Sequence, residues 1–191
     1  MKYFKPLILP LLLLTFSFHR AVPSAYSADA DKSNVKWTGY AEAGGYAPSG
    51  TVKIKSAALT LSGGLPVSGK VIIDMTTLDQ SNSEMETHLK GKDFFDVAAY
   101  PEAAFVLSAP KGNTLTGTIT IKGISQQIIV PFSIAKTAGG ILLKATFKID
   151  RTKFNIKYNS KSYFQELGNY AIKNEFDLDI NIAFSPAAAK V

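Results

Sequence analysis

The feature that most constrains this chain is a two-residue alternation of apolar and polar side chains near its C-terminus. Ile172, Phe176, Leu178, Ile180, Ile182 and Phe184 alternate with Lys173, Glu175, Asp177, Asp179, Asn181 and Ala183, and only Asn174 breaks the apolar series. Successive side chains of a strand point to opposite faces, so the pattern describes a strand with one buried and one wet face. Ile141, Leu143, Ala145, Phe147 and Ile149 repeat it, as do Leu115, Gly117, Ile119 and Ile121. After the Gly123 turn, Ile124, Ile128, Val130, Phe132 and Ile134 resume the series, with Gln126 as its odd member. Nearer the N-terminus, Val35, Trp37, Gly39 and Ala41 form one such face, Val67, Val71, Ile73 and Met75 another, and Ala103, Phe105 and Leu107 a third. Val52 and Ile54 lie in one phase and Leu59 and Leu61 in the other, which predicts a β-bulge near residues 56–58.

About eight half-buried strands with hairpin-length connections predict an all-β antiparallel fold. Its edges must be protected, by closure into a barrel or by folding into a sandwich, and periodicity does not separate the two. One segment departs from the strand pattern. Ser83 and Glu86 have capping-box spacing, Met85 and Leu89 share a helical face, and Gly91 suits a left-handed stop, so a short helix is expected near 84–90. Phe94, Phe95 and Tyr100 follow it. An apolar helix and an aromatic loop inserted in a β chain must pack on something, and one end of the sheet is the expected place.

The N-terminus sets the compartment. Lys2 and Lys5 precede an apolar run from Leu7 to Phe18, and small residues between Ala25 and Ala30 fit signal-peptidase cleavage after about 27–30. The run is too short for a bilayer core, which needs about 20 residues. The expectation is a removed secretory signal over 1–30, a single domain over 31–191, no integral membrane span in the mature chain, and a periplasmic or secreted location. The chain has no cysteine, so disulfides, thiol chemistry and a lipid-modified cysteine are excluded. Its formal charge of +6 falls to +4 once Lys2, Lys5, Arg20 and Asp29 are removed, and the remaining charges do not gather into the basic stripe that nucleic acid requires. The one histidine beyond the signal is His88; there is no G-x-S-x-G elbow and no calcium-loop motif. No catalytic residue, metal site or cofactor is therefore expected.

Three separate blocks resemble the YceI-like family, bacterial periplasmic polyisoprenoid-binding proteins. His88-Leu89-Lys90-Gly91-Lys92-Asp93-Phe94-Phe95-Asp96 with Tyr100-Pro101 and Ala104-Phe105 is similar to the family's HL-x-x-x-DFFD…YP-x-x-F block. Leu115 to Ile124 resembles its G-x-LTIKG hairpin, and Asp150-Arg151-Thr152-Lys153-Phe154-Asn155-Ile156 its R-x-x-F/W-G-I segment, with Asn155 where glycine is usual. Many members carry a histidine just before the glycine matched by Gly50; this chain has none. The resemblance implies a lipocalin-like antiparallel barrel of about eight strands around a long-chain isoprenoid lipid of quinone or polyprenyl type.

An eight-stranded barrel either fills with its own side chains or holds one small ligand. Each buried methylene contributes about 0.8 kcal/mol, so ten carbons give about 8 kcal/mol against an association cost of about 4–15 kcal/mol. Long chains are favoured over short ones. The expected wall residues are Trp37, Phe105, Ile119, Val130, Phe132, Leu143, Phe147, Phe176 and Leu178, with Arg151 as the candidate headgroup contact. The alternative is a structural or protein-interaction β domain with a filled core, serving an envelope or membrane partner.

Overall fold

The alternation at the C-terminus becomes one strand of a long antiparallel pair in a curled sheet. In the computed structural model, which describes residues 22–188, Ile141 to Asp150 of β8 (Gly140–Asp150) pair antiparallel with Glu175 to Phe184 of β9 (Glu175–Pro186). Residues 1–21, most of the expected signal segment, lie outside the described residues, as do 189–191. The remaining strands are β1 (Ser24–Thr38), β2 (Ser49–Ser62), β3 (Leu65–Asp79), β4 (Glu102–Lys111), β5 (Thr114–Ile121), β6 (Ile124–Pro131) and β7 (Ser133–Thr137), with one helix, α1 (Ser83–Lys90). All pairings are antiparallel, in the spatial order β6-β5-β4-β3-β2-β1-β9-β8-β7.

The described residues form nine strands, one more than the alternation marks, because the series Ile124 to Ile134 is not one strand. Thr114 pairs with Pro131 at the end of β6, and the Phe132 N–H turns to the Asn113 carbonyl (3.1 Å). Beyond it β7 pairs with β8. The chain thus crosses from one edge of the sheet to the other within a single residue, curling the sheet into a barrel-like shell. Elsewhere along the shell β6 comes against β8 and a short 3-10 helix (Arg151–Phe154). No ladder joins them among the described residues.

The phase change in β2 has the expected cause. The register with β3 shifts between Ile54 and Ser56, and burial passes from Val52 and Ile54 to Ala57, Leu59 and Leu61. A second irregularity corrects the reading of β3. Leu61 pairs with Pro66 and Thr60 with Ser68, so Val67 is the extra residue and faces water while Pro66 is buried. The helix forms where expected, with different caps. Asn82 is the N-cap and accepts from the Met85 N–H (2.9 Å), Glu86 pairs with Lys90 (2.7 Å), and Gly91 ends the helix in extended rather than left-handed backbone.

Two glycines mark opposite kinds of space. A Cβ on Gly50 would run into the Asp79 carbonyl oxygen and the Trp37 ring, whereas one on Gly39 would meet nothing within 4 Å. Gly50→Ala should therefore destabilise by about 2–3 kcal/mol, since a backbone oxygen cannot yield. Gly39→Ala should change stability by less than about 0.5 kcal/mol. Urea unfolding of both variants checks the contrast, which equal effects would abolish.

Candidate functional site

The inward faces do not fill the shell. They surround an apolar cavity of about 320 Å³, roughly twice the ~150 Å³ that holds a benzene in an engineered protein core. Along β9 its wall runs from Phe176 to Phe184, about 27 Å of strand at ~3.4 Å per residue. The space is therefore long and narrow.

Of the nine expected wall residues, Trp37, Phe105, Ile119, Val130, Leu143, Phe147, Phe176 and Leu178 line the cavity. Phe132 does not: it sits half-buried in the crossing between β6 and β7, where its N–H is committed to Asn113. The small inward residues serve different ends. Gly39, Ala41 and Ala145 line the space, but Gly117 lies under the Phe105 ring, which occupies the place of a Cβ.

Sequence reasoning named no wall residue from the helical insertion. Met85, His88 and Leu89 of α1 and Phe94 and Phe95 after it all line the cavity. The Met85–Leu89 spacing carried the signal, since it defines an apolar face that needs a floor. His88 lies edge-on to Phe94 (5.2 Å between ring centres) and Tyr158 (4.5 Å). Neither its buried Nε2 nor Trp37 Nε1 has a hydrogen-bond partner among the described residues. This aromatic packing is a structural setting, with no nucleophile or acid–base partner bonded to the imidazole.

Arg151 also lines the cavity, 4% exposed and with no carboxylate bonded to it. Instead Nε donates to the Lys173 carbonyl (3.0 Å), one terminal nitrogen to Ile156 (2.9 Å) and the other to Ile172 (3.0 Å). Its guanidinium stacks 5.9 Å from the Phe94 ring centre. Burial pushes its pKa below the usual arginine value, with nearby Asp150 partly opposing. The three carbonyls belong to the loop between β8 and β9, so one side chain ties that loop to the barrel end. Asn155 completes the turn in left-handed backbone (φ 58°), which asparagine tolerates better than other non-glycine residues.

The loops around this end are joined to each other. Ala41 bridges to Ile172, Glu42 N–H donates to Ala171 (2.9 Å) and Lys173 N–H to Tyr40 (2.9 Å). Tyr40 donates to Asp177 (2.7 Å), which holds its phenol pKa above the usual range. Tyr46 both lines the cavity and is 59% exposed, so the cavity reaches solvent here. Among the described residues no three metal-binding side chains gather, and no helix is long and apolar enough to cross a membrane.

A curled antiparallel sheet around a long apolar hollow has room inside it for an apolar molecule. The YceI-like domain matches residues 26–184, and the chain belongs to that family. It is 28% identical to protein YceI of Escherichia coli O157:H7 over 133 residues, covering 62% of this chain and 68% of that protein. It is 32% identical over 88 residues to a UPF0312 protein of Pseudomonas syringae pv. tomato, covering 42% of this chain and 46% of the relative, so it spans about half the length of that protein. Among solved structures, BcnA of Burkholderia cenocepacia superposes with a TM-score of 0.68 at 24% identity, over 81% of this chain and 98% of that one. A polyisoprenoid binding domain from Saccharophagus degradans, implicated in plant cell wall breakdown, gives 0.66 at 13% identity, over 86% and 99%. Both likenesses are of fold.

Arg151→Ala leaves three carbonyls without their donors and should cost about 3–5 kcal/mol in urea unfolding. Arg151→Lys should recover less than half of the loss, because a single ammonium cannot reproduce the planar fork. Full recovery by lysine would show that charge alone matters at this position.

Proposed function

We propose that this protein binds a long-chain isoprenoid-type lipid in its central cavity, as a periplasmic carrier or store, without catalysing a reaction. The observation that carries the reading is the cavity itself, about 320 Å³ of apolar space following β9 from Phe176 to Phe184. A filled core would leave no such space. Family membership and the description of the Saccharophagus domain as polyisoprenoid binding support the same ligand class. Arg151, expected as a headgroup contact, has three donors committed to carbonyls. It serves better as a fixed wall, leaving the polar end of the lipid toward the mouth near Tyr40 and Tyr46.

Protein purified from its host should release a long-chain lipid into organic solvent, identified by mass spectrometry. Ala145, buried on the wall, gives the control. Ala145→Phe puts a ring into the hollow and should lower the recovered lipid at least about tenfold while leaving a cooperative thermal transition. A wild-type protein free of lipid and unresponsive to added prenyl compounds would return the structural β-domain alternative.

The proposed location implies a removed signal, and the fold bears on where the cut falls. Tyr26 to Asp29 pair with β9, and Ser24 to Ser27 also pair with β2. Cleavage after 27–30 would remove part of this strand, so the mature chain should begin at or before Ser24. Terminal sequencing of exported protein tests this, and a start at Asp31 would mean that β1 is trimmed.

A further inference from the structure

The cavity opens at Tyr46, and the β8–β9 loop bonded to the neighbouring Tyr40–Glu42 segment exposes further aromatic rings. Tyr163 and Phe164 are each 49% exposed, Tyr170 is 80% exposed, and Tyr46 adds a fourth ring at the opening. The loop that carries the first three is tied to this end of the shell. Ile172 N–H donates to Asn159 (2.8 Å), Ser160 donates to Asn174 (2.6 Å) and Asn174 to Ser162 (2.8 Å). Lysines are interleaved with the rings. Lys157 rides over the Tyr163 ring at 4.7 Å and Lys173 over Tyr40 at 5.7 Å, with Lys161 between them in sequence. None of the three has a carboxylate partner among the ion pairs of the described residues. Glu42 and Glu166 are acidic residues of the same loops.

The geometry points to this rim as a docking surface for a lipid bilayer that contains anionic lipid. Tyrosine and phenylalanine place an apolar body in the headgroup layer and lysine stems snorkel to it, a combination that favours the membrane–water interface. Continuity with the cavity selects the bilayer as occupant. This step rests on the lipid-binding reading: a long apolar chain has almost no free concentration in water, so it must be handed over where the cavity wall meets the membrane. The glutamates offset part of the lysine charge. The rings therefore carry the contact, and Lys157 and Lys161 tune it toward anionic surfaces.

Co-sedimentation with vesicles tests the surface, using phosphatidylcholine alone or with about one-third phosphatidylglycerol. The wild type should pellet with the anionic vesicles. Tyr163→Ser/Phe164→Ser/Tyr170→Ser, all at exposed positions, should weaken partitioning about tenfold. Lys157→Gln/Lys161→Gln should remove most of the preference for anionic vesicles and its salt sensitivity. Wild type remaining in the supernatant with both vesicles, or a triple variant that pellets like wild type, would overturn the proposal and leave the rim for a protein partner or for solvent. Trp37 fluorescence with detergent-solubilised polyprenol is read in parallel. The triple variant should keep the wild-type response. A wild type without any response would sink the carrier reading, while the vesicle result still decides the surface.

Discussion

A sheet that is apolar on one face must hide that face, and here it has no second layer to hide against. No second sheet is present among the described residues, and beside the sheet stand only one short α-helix and two single-turn 3-10 helices. The sheet can bury its apolar face only by curling until that face is its own interior. Nine strands then enclose more space than their side chains occupy, since about eight already give an interior just wide enough to be filled or to take one ligand. The hollow is thus a consequence of how the apolar face is buried. Its length follows from the strands, and its apolar wall from their alternation.

What the curl cannot do by itself is finish its ends. At one end the task falls to α1, the Phe94–Phe95 loop and the long connection between β8 and β9, all of which contribute cavity wall. That connection is irregular and carries backbone carbonyls that neither ladder nor helix satisfies. A buried carbonyl without a donor is costly, and Arg151 answers three of them at once. Arginine suits the position because its donors form a rigid planar fork. The hydrogen bonds to three carbonyls compensate for the burial of the charge, and the loop is held at the rim without blocking the space beneath.

Much of this could be read from the residues. Alternation located most of the strands, and the phase change between Ile54 and Leu59 located the bulge to within two residues. Met85 and Leu89 announced a helix that needed a floor. The limits were set by tertiary geometry. Phe132 is in phase with Val130, but phase does not say that the chain leaves one sheet edge for the other at that residue. Val67 is in phase with Val71, but the pairing of Pro66 with Leu61 makes it a bulge. Gly117 shares a face with Ile119, but only the fold shows that the Phe105 ring takes the place of its missing side chain. Arg151 reads as a headgroup contact in sequence because a lone cation near a strand end does not reveal the carbonyls of residues 156, 172 and 173 that the fold brings to it.

The crossing at Phe132 also fixes how the shell is closed. β6 and β7 are consecutive in the chain yet stand at opposite edges of the sheet, so the peptide backbone itself seals one end of the seam. Toward the α1 end, β6 meets β8 and the 3-10 helix through side chains, with Gln126 Nε2 donating to the Lys153 carbonyl (3.3 Å). Every other strand neighbour is joined by a ladder. Among the described residues, parting the seam costs side-chain contacts and the Gln126–Lys153 bond, whereas parting any other pair breaks several backbone bonds together. Backbone bonding is therefore weakest between β6 and β8, and every other part of the wall is held by ladders.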